Sequence, residues 1–182
     1  MNLPMPVAVG IWIVLGLLLL LVIWRGLRSL RGRGADVVPA LPAVPEPLGA
    51  ATFGPVEATY VSTTLHGDWL ARVGAHGLGD RAGASVSVHP EGVLVERTGA
   101  PTLFVPAERL QDAGTTAGMA GKYVGGEGIA VMTWAEGAGE ADGRPATLLD
   151  TGLRTRRSAD RTALLDAIRA LVRPTDHGEE PA

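Results

Sequence analysis

The chain reads as mainly β: an N-terminal transmembrane helix, then a β-sandwich or barrel of about seven strands capped by a C-terminal amphipathic helix. Three observations predict this. An unbroken apolar run fills residues 7–24, short segments with β-like composition and period-two hydrophobicity fill residues 56–154, and the period changes to 3.6 near the end of the chain.

Val7–Trp24 (VAVGIWIVLGLLLLLVIW) has no charged residue. At about 1.5 Å per residue a helix of that length covers roughly 27 Å, close to the hydrocarbon thickness of a bilayer. A soluble helix would keep a polar face, and this run has none. A cleavable signal peptide would start with basic residues and carry a shorter apolar run, whereas residues 1–6 (MNLPMP) contain no basic residue. An uncleaved anchor is therefore expected. Its flanking charges, Arg25, Arg28, Arg31 and Arg33, all lie in the juxtamembrane segment 25–34. That asymmetry places residues 1–6 outside and residues 25–182 in the cytoplasm, with the helix in a bacterial plasma membrane. Trp24 is expected at the bilayer interface, with the four arginines against anionic headgroups.

Residues 35–55 hold five prolines in 21 positions. Proline fixes φ and removes a donor, so an extended spacer is expected, reaching up to roughly 60 Å in polyproline II geometry.

The predicted domain, 56–173, follows. Val56–Thr64 is rich in β-branched residues, and Ala84–His89 alternates with period two before Pro-Glu-Gly turns the chain into Val93–Arg97. Thr102–Pro106, a weaker Gln111–Met119, Gly128–Trp134 and Ala146–Arg154 complete seven strands. Between the last two, residues 136–144 read as an exposed loop tip. In Gly128–Trp134, Ile129 and Val131 share one face and Ala130, Met132 and Trp134 the other. Leu164, Leu165, Ile168, Leu171 and Val172 then recur at spacings of three and four, giving one apolar helical stripe. Ser158 is the expected cap, Pro174 the stop, and 174–182 a disordered polar tail. Seven strands and a terminal helix suit two antiparallel sheets closed at one end by that helix, and a five-stranded OB barrel leaves the helix less well explained.

The runs YVSTTLHGDWLARVGAHGLG, AGKYVGGEGIAVMTW and LLDTGLR resemble a family of actinobacterial single-pass membrane proteins with a bacterial pleckstrin-homology-like (PH-like) cytoplasmic domain. The resemblance covers the apolar helix and nearly all of residues 56–172. It implies a PH-like fold, and it carries over no catalytic or ligand residue.

Composition narrows the chemistry. With no cysteine, thiolate nucleophiles, thiolate metal sites and disulfides are excluded. A net charge of −3 and a pI near 5.8 give no basic footprint, so no nucleic-acid partner is expected. His66 with Asp68, and His76 with Asp80, tempt a metal reading, but spacings of two and four form no known ligand set. Turn and cap roles are expected, with Trp69, Leu70 and Val73 packing inward at helix-like spacing. GAHGLG at 74–79 lacks the order of a dinucleotide loop, and AGMAGKY at 117–123 lacks the first glycine and the Ser/Thr of a P-loop; both are expected as turns. Arg154, Arg156, Arg157 and Arg161 form a basic cluster that could contact an anion or a lipid headgroup. Residues 50–182 nevertheless carry 12 basic and 17 acidic side chains, which disfavours a broad membrane-attracting surface.

No cofactor, metal or catalytic residue is expected. The expected role is a non-enzymatic interaction or scaffold module, held at the membrane and recruiting a cytoplasmic or membrane protein. The alternative is an accessory subunit of an export or transport complex. That reading is disfavoured because Gly10 and Gly16 stand six apart and miss small-xxx-small packing.

Overall fold

The computed structural model describes residues 5–32, 37–123, 128–137 and 146–172. The order is α1 (Met5–Gly32), β1 (Phe53–Leu65), β2 (Asp68–Arg72), β3 (Ala82–His89), β4 (Gly92–Arg97), β5 (Leu103–Pro106), β6 (Leu110–Thr116), β7 (Gly118–Met119), β8 (Lys122–Tyr123), β9 (Ile129–Glu136), β10 (Thr147–Thr155) and α2 (Ser158–Leu171). All seven expected strands are present. The extra ones are β2, in the stretch read as helix-like, and the β7–β8 hairpin.

Hydrogen bonding runs through one antiparallel sheet ordered β5-β4-β3-β1-β10-β9-β6, with β2 added to β1, so no gap divides it into two separate sheets. The sheet must curl. Laid flat, its outer strands would stand about 29 Å apart at about 4.8 Å per strand. Yet they are joined only by the short turn Ala107–Arg109, and Pro106 to Leu110 spans at most about 14 Å. The curl follows from β1, the longest strand. Its first half pairs with β3, its end pairs with β2, and its register against β10 shifts between Tyr60 and Ser62.

Curling encloses the main core. Val86, Val95, Leu103, Leu110, Met132, Trp134, Leu149 and Leu153 come from six strands and meet Leu164, Leu165 and Ile168 of α2. The apolar stripe of α2 thus closes the sheet, and Arg169 Nε donates to Ala113 O at 2.9 Å. Arg157 rather than Ser158 occupies the cap position, in extended conformation, with Ser158 already the first helical residue. β9 divides its faces as expected: Ala130, Met132 and Trp134 enter the main core. Ile129 and Val131 join Val61, Met119 and Ala120 in a small second cluster outside it.

Residues 37–52 are not a free spacer. Val38 is fully buried in the main core, with Val37 and Leu41 packed beside it. Thr52 N donates to Val88 O at 2.8 Å, Gly49 O holds His89 Nδ1 at 2.7 Å, and Val38 O holds His76 Nε2 at 3.0 Å. Proline kept this segment out of the sheet, and its apolar residues still had to be buried. The consequence is proximity. From Gly32 at the end of α1 to Val37 the chain reaches at most about 18 Å, well short of the 60 Å expected for the free spacer. α1 lies close to the Ala75–Gly77 turn.

The apolar span within α1 is Val9–Gly26, with mean hydropathy 2.3 and none of it buried. Helix continues past Trp24 to Gly32, so part of the expected juxtamembrane segment is helical. Arg33, Pro174 and the tail expected at 174–182 lie outside the described residues, as does most of the expected loop tip. Glu136, at the start of that loop, is the last residue of β9, buried and paired with Arg109 at 2.7 Å.

Candidate functional site

The stretch Thr63–Ala82 is first of all scaffold. Tyr60, fully buried, shares a hydrogen bond with Thr63 Oγ1 at 2.6 Å and donates to Leu78 O at 2.8 Å. Thr63 Oγ1 lies 2.8 Å from Thr151 Oγ1, which accepts from Trp134 Nε1 at 2.9 Å. This buried chain of polar groups joins β1, β10 and β9 through the core. Burial pushes the Tyr60 pKa up to about 12, against the opposing pull of Thr63 and Arg97.

Arg97 covers the Tyr60 ring at 4.8 Å and binds the following turn. Its guanidinium donates to Pro101 O at 2.9 Å, Gly77 O at 2.8 Å and His76 O at 3.0 Å. Burial lowers its pKa, which Tyr60 and Asp80 oppose. The turn needs this support because His76 has φ 53° beside Gly77 at φ +65°. One fork of donors satisfies three carbonyls that no strand would otherwise pair.

The paired histidines and aspartates are separated by the fold. His66 binds Asp150 at 2.9 Å, and Asp68 Oδ1 accepts from Leu70 N at 3.0 Å and Ala71 N at 3.2 Å. His76 ties down Val38 through its carbonyl, and Asp80 is exposed. Among the described residues no group of three or more His, Asp or Glu side chains could hold a metal ion. Trp69 and Leu70 are 53% and 60% exposed on β2, and only Val73 of that trio is buried. In an extended strand residues 69 and 70 point to opposite faces, so the helix-like spacing had no meaning there.

The four arginines do not converge as free charges. Arg156 pairs with Glu57 at 2.9 Å and Arg157 with Asp160 at 3.8 Å; Arg154 is exposed and Arg161 half-buried. The broad cleft beside them, about 620 Å³, mixes Arg156 and Arg97 with Glu57 and Glu96. Arg25 and Trp24 are exposed at the end of the apolar span, and Arg28 and Arg31 lie on the same helix.

A second cleft, about 240 Å³, opens on the outer face of the sheet and was not foreseen. Its floor is a row of four residues paired in register: Thr64 opposite Asp150, Asp150 opposite Thr133, Thr133 opposite Asp112. Thr133 Oγ1 donates to Asp150 Oδ1 at 2.7 Å. His66, Trp69, Gly118 and Met119 form walls, and no Lys or Arg lines it among the described side chains. The sequence signal was present but weak: aspartate is depleted in strand interiors, and Asp112 and Asp150 both sit inside strands.

A curled antiparallel sheet closed by a terminal helix, with polar surface clefts and a motif consumed in its own scaffold, is the architecture of a PH-like module. The chain belongs to the bacterial PH domain-like family, whose model matches residues 38–169 and so begins at the buried Val38. No curated protein and no solved structure matches it.

Proposed function

We propose that this chain is a single-pass membrane protein whose PH-like domain faces the cytoplasm and serves as a non-enzymatic docking module for a protein partner. One observation carries the anchored part of the reading. Val9–Gly26 is an 18-residue apolar helical span with none of its surface buried. In water, such a surface would be a large aggregation liability, and lipid removes it. The orientation rests on the arginines at 25–33, all on the C-terminal flank. The short reach between Gly32 and Val37 keeps the domain near the bilayer, so its partner is expected to be a membrane protein or a cytoplasmic protein drawn to the membrane. The non-enzymatic reading is supported by the motif's polar groups, most of which are held in bonds to other protein groups.

Two measurements test it. A C-terminal fusion reporter active only on the cytoplasmic side is expected; activity only outside the cell overturns the topology. Crosslinking in intact membranes followed by mass spectrometry is expected to recover one reproducible protein with the full chain. Recovery of none overturns the docking role.

A further inference from the structure

We propose that the cleft over Thr64, Asp150, Thr133 and Asp112 receives a basic side chain, arginine or lysine, of the docked protein. This rests on the docking reading and names the chemistry of its contact. Charge is the first argument. Among the described side chains the cleft presents two carboxylates and no Lys or Arg. Their capacity is only partly used: Asp112 accepts from the Ala113 amide at 2.7 Å, and Asp150 holds Thr133 and His66. A carboxylate offers about four lone-pair sites, so each can take a further N–H donor.

The second argument is independent of the acidic groups. Thr64 lines the cleft, is fully buried, and its hydroxyl has no hydrogen-bond partner among the described residues. Buried polar groups are almost always paired, and one left over beside a cleft points to a ligand. It stands in the same cross-strand row as the carboxylates, directly opposite Asp150, beside the place where a donor held by that carboxylate would sit.

Size and rim select the source. At about 240 Å³ the cleft falls below the roughly 300–1,000 Å³ of small-molecule sites, and it suits a side chain. Trp69 forms one wall and is half exposed, giving a face for a cation. An anionic bilayer would be repelled by the two carboxylates. A metal ion is not the expected occupant, because the donors do not gather into a three-residue set.

The test uses the full chain in nanodiscs of zwitterionic lipid and isothermal titration calorimetry. The probes are a Leu-Arg-Leu peptide, the same peptide with neutral citrulline, and ethylguanidinium. The arginine peptide is expected to bind at least about tenfold tighter than the citrulline peptide, since one buried charge-assisted contact is lost. Asp112→Asn, which keeps the bond to Ala113, is expected to weaken it by about tenfold, as is raised salt. Thr64→Val is expected to weaken binding without lowering the unfolding midpoint, an outcome that a purely structural role for the hydroxyl would not give. Equal binding of the two peptides, or no effect of Asp112→Asn, overturns the proposal. Ethylguanidinium binding as tightly as the peptide would make this a site for free organic cations and overturn the partner assignment. Binding of vesicles with anionic lipid in place of the peptide would overturn it in favour of membrane contact. If crosslinking yields a partner while the peptides do not discriminate, docking stands and this cleft is not its seat.

Discussion

Thr151→Val and Thr64→Val make the same chemical change on neighbouring strands, and the structure predicts different signs. Both exchange a hydroxyl for a methyl at nearly constant volume, at positions with no solvent exposure. Thr151 Oγ1 accepts from Trp134 Nε1 at 2.9 Å and shares a bond with Thr63 Oγ1 at 2.8 Å. Removing it loses two bonds of about 1 kcal/mol each and strands the indole N–H, which costs about 1–3 kcal/mol more. The added methyl returns about 0.8 kcal/mol of burial, and Thr63 keeps Tyr60 as a partner at 2.6 Å. The net is a loss of about 2–4 kcal/mol. At about 4 °C per kcal/mol for a domain of this size, the unfolding midpoint should fall by roughly 10–15 °C. The Thr64 hydroxyl makes no bond to lose among the described residues, so Thr64→Val should leave the midpoint unchanged or raise it by a few degrees, worth about 0–1 kcal/mol. Thermal unfolding of the full chain in detergent, followed by near-ultraviolet circular dichroism, reads both. If Thr151→Val melts with wild type, the buried chain of hydroxyls is not a source of stability. If both variants fall equally, the cost is steric and the hydrogen-bond argument fails.

Val38→Ala should cost about 2 kcal/mol, read as a lower denaturant midpoint, because the side chain is core; a free spacer would show no change. Gly92→Ala should cost about 3 kcal/mol or more. Gly92 has φ +154°, and a Cβ there would lie 2.2 Å from Val105 O. Gly99→Ala, at φ +76° in open space, should cost only about 1 kcal/mol. Alkaline titration should expose Tyr60. Its folded pKa of about 12 stands above the ordinary value of 10, so its contribution is complete below pH 10 and is lost as pH rises through 12. The loss is on the order of 2–3 kcal/mol and should be absent in Tyr60→Phe, as measured by stability between pH 9 and about 12.

How much of this was legible depended on whether a residue's environment is set by near neighbours. Ala84–His89 could be assigned from alternation and Gly128–Trp134 from its apolar run, because the first packs mainly one face on the core and the second buries both faces. The α2 stripe could be assigned because one side of a helix meets one surface. Residues 37–52 were misread because proline hides any period, although Val37, Val38 and Leu41 packed inward all the same. Trp69 and Leu70 were misread because a five-residue strand is too short to separate a period of two from 3.6. The cleft was invisible because Thr64, Asp112, Thr133 and Asp150 lie far apart in the chain and become neighbours only through strand pairing.

The sequence by itself determined the apolar helical span long enough to cross a bilayer, seven of the strands, the closing helix and the absence of thiol chemistry. Each is a property of composition or of local period, which follows from which faces meet water. Only the tertiary structure decided that the proline-rich segment is part of the domain and that Arg97 and Tyr60 hold the glycine-rich turn. It alone set four residues from four strands in one polar row. Those outcomes depend on strand order and register, which are fixed when the curled sheet buries both its ends in one core, and no local pattern encodes that closure.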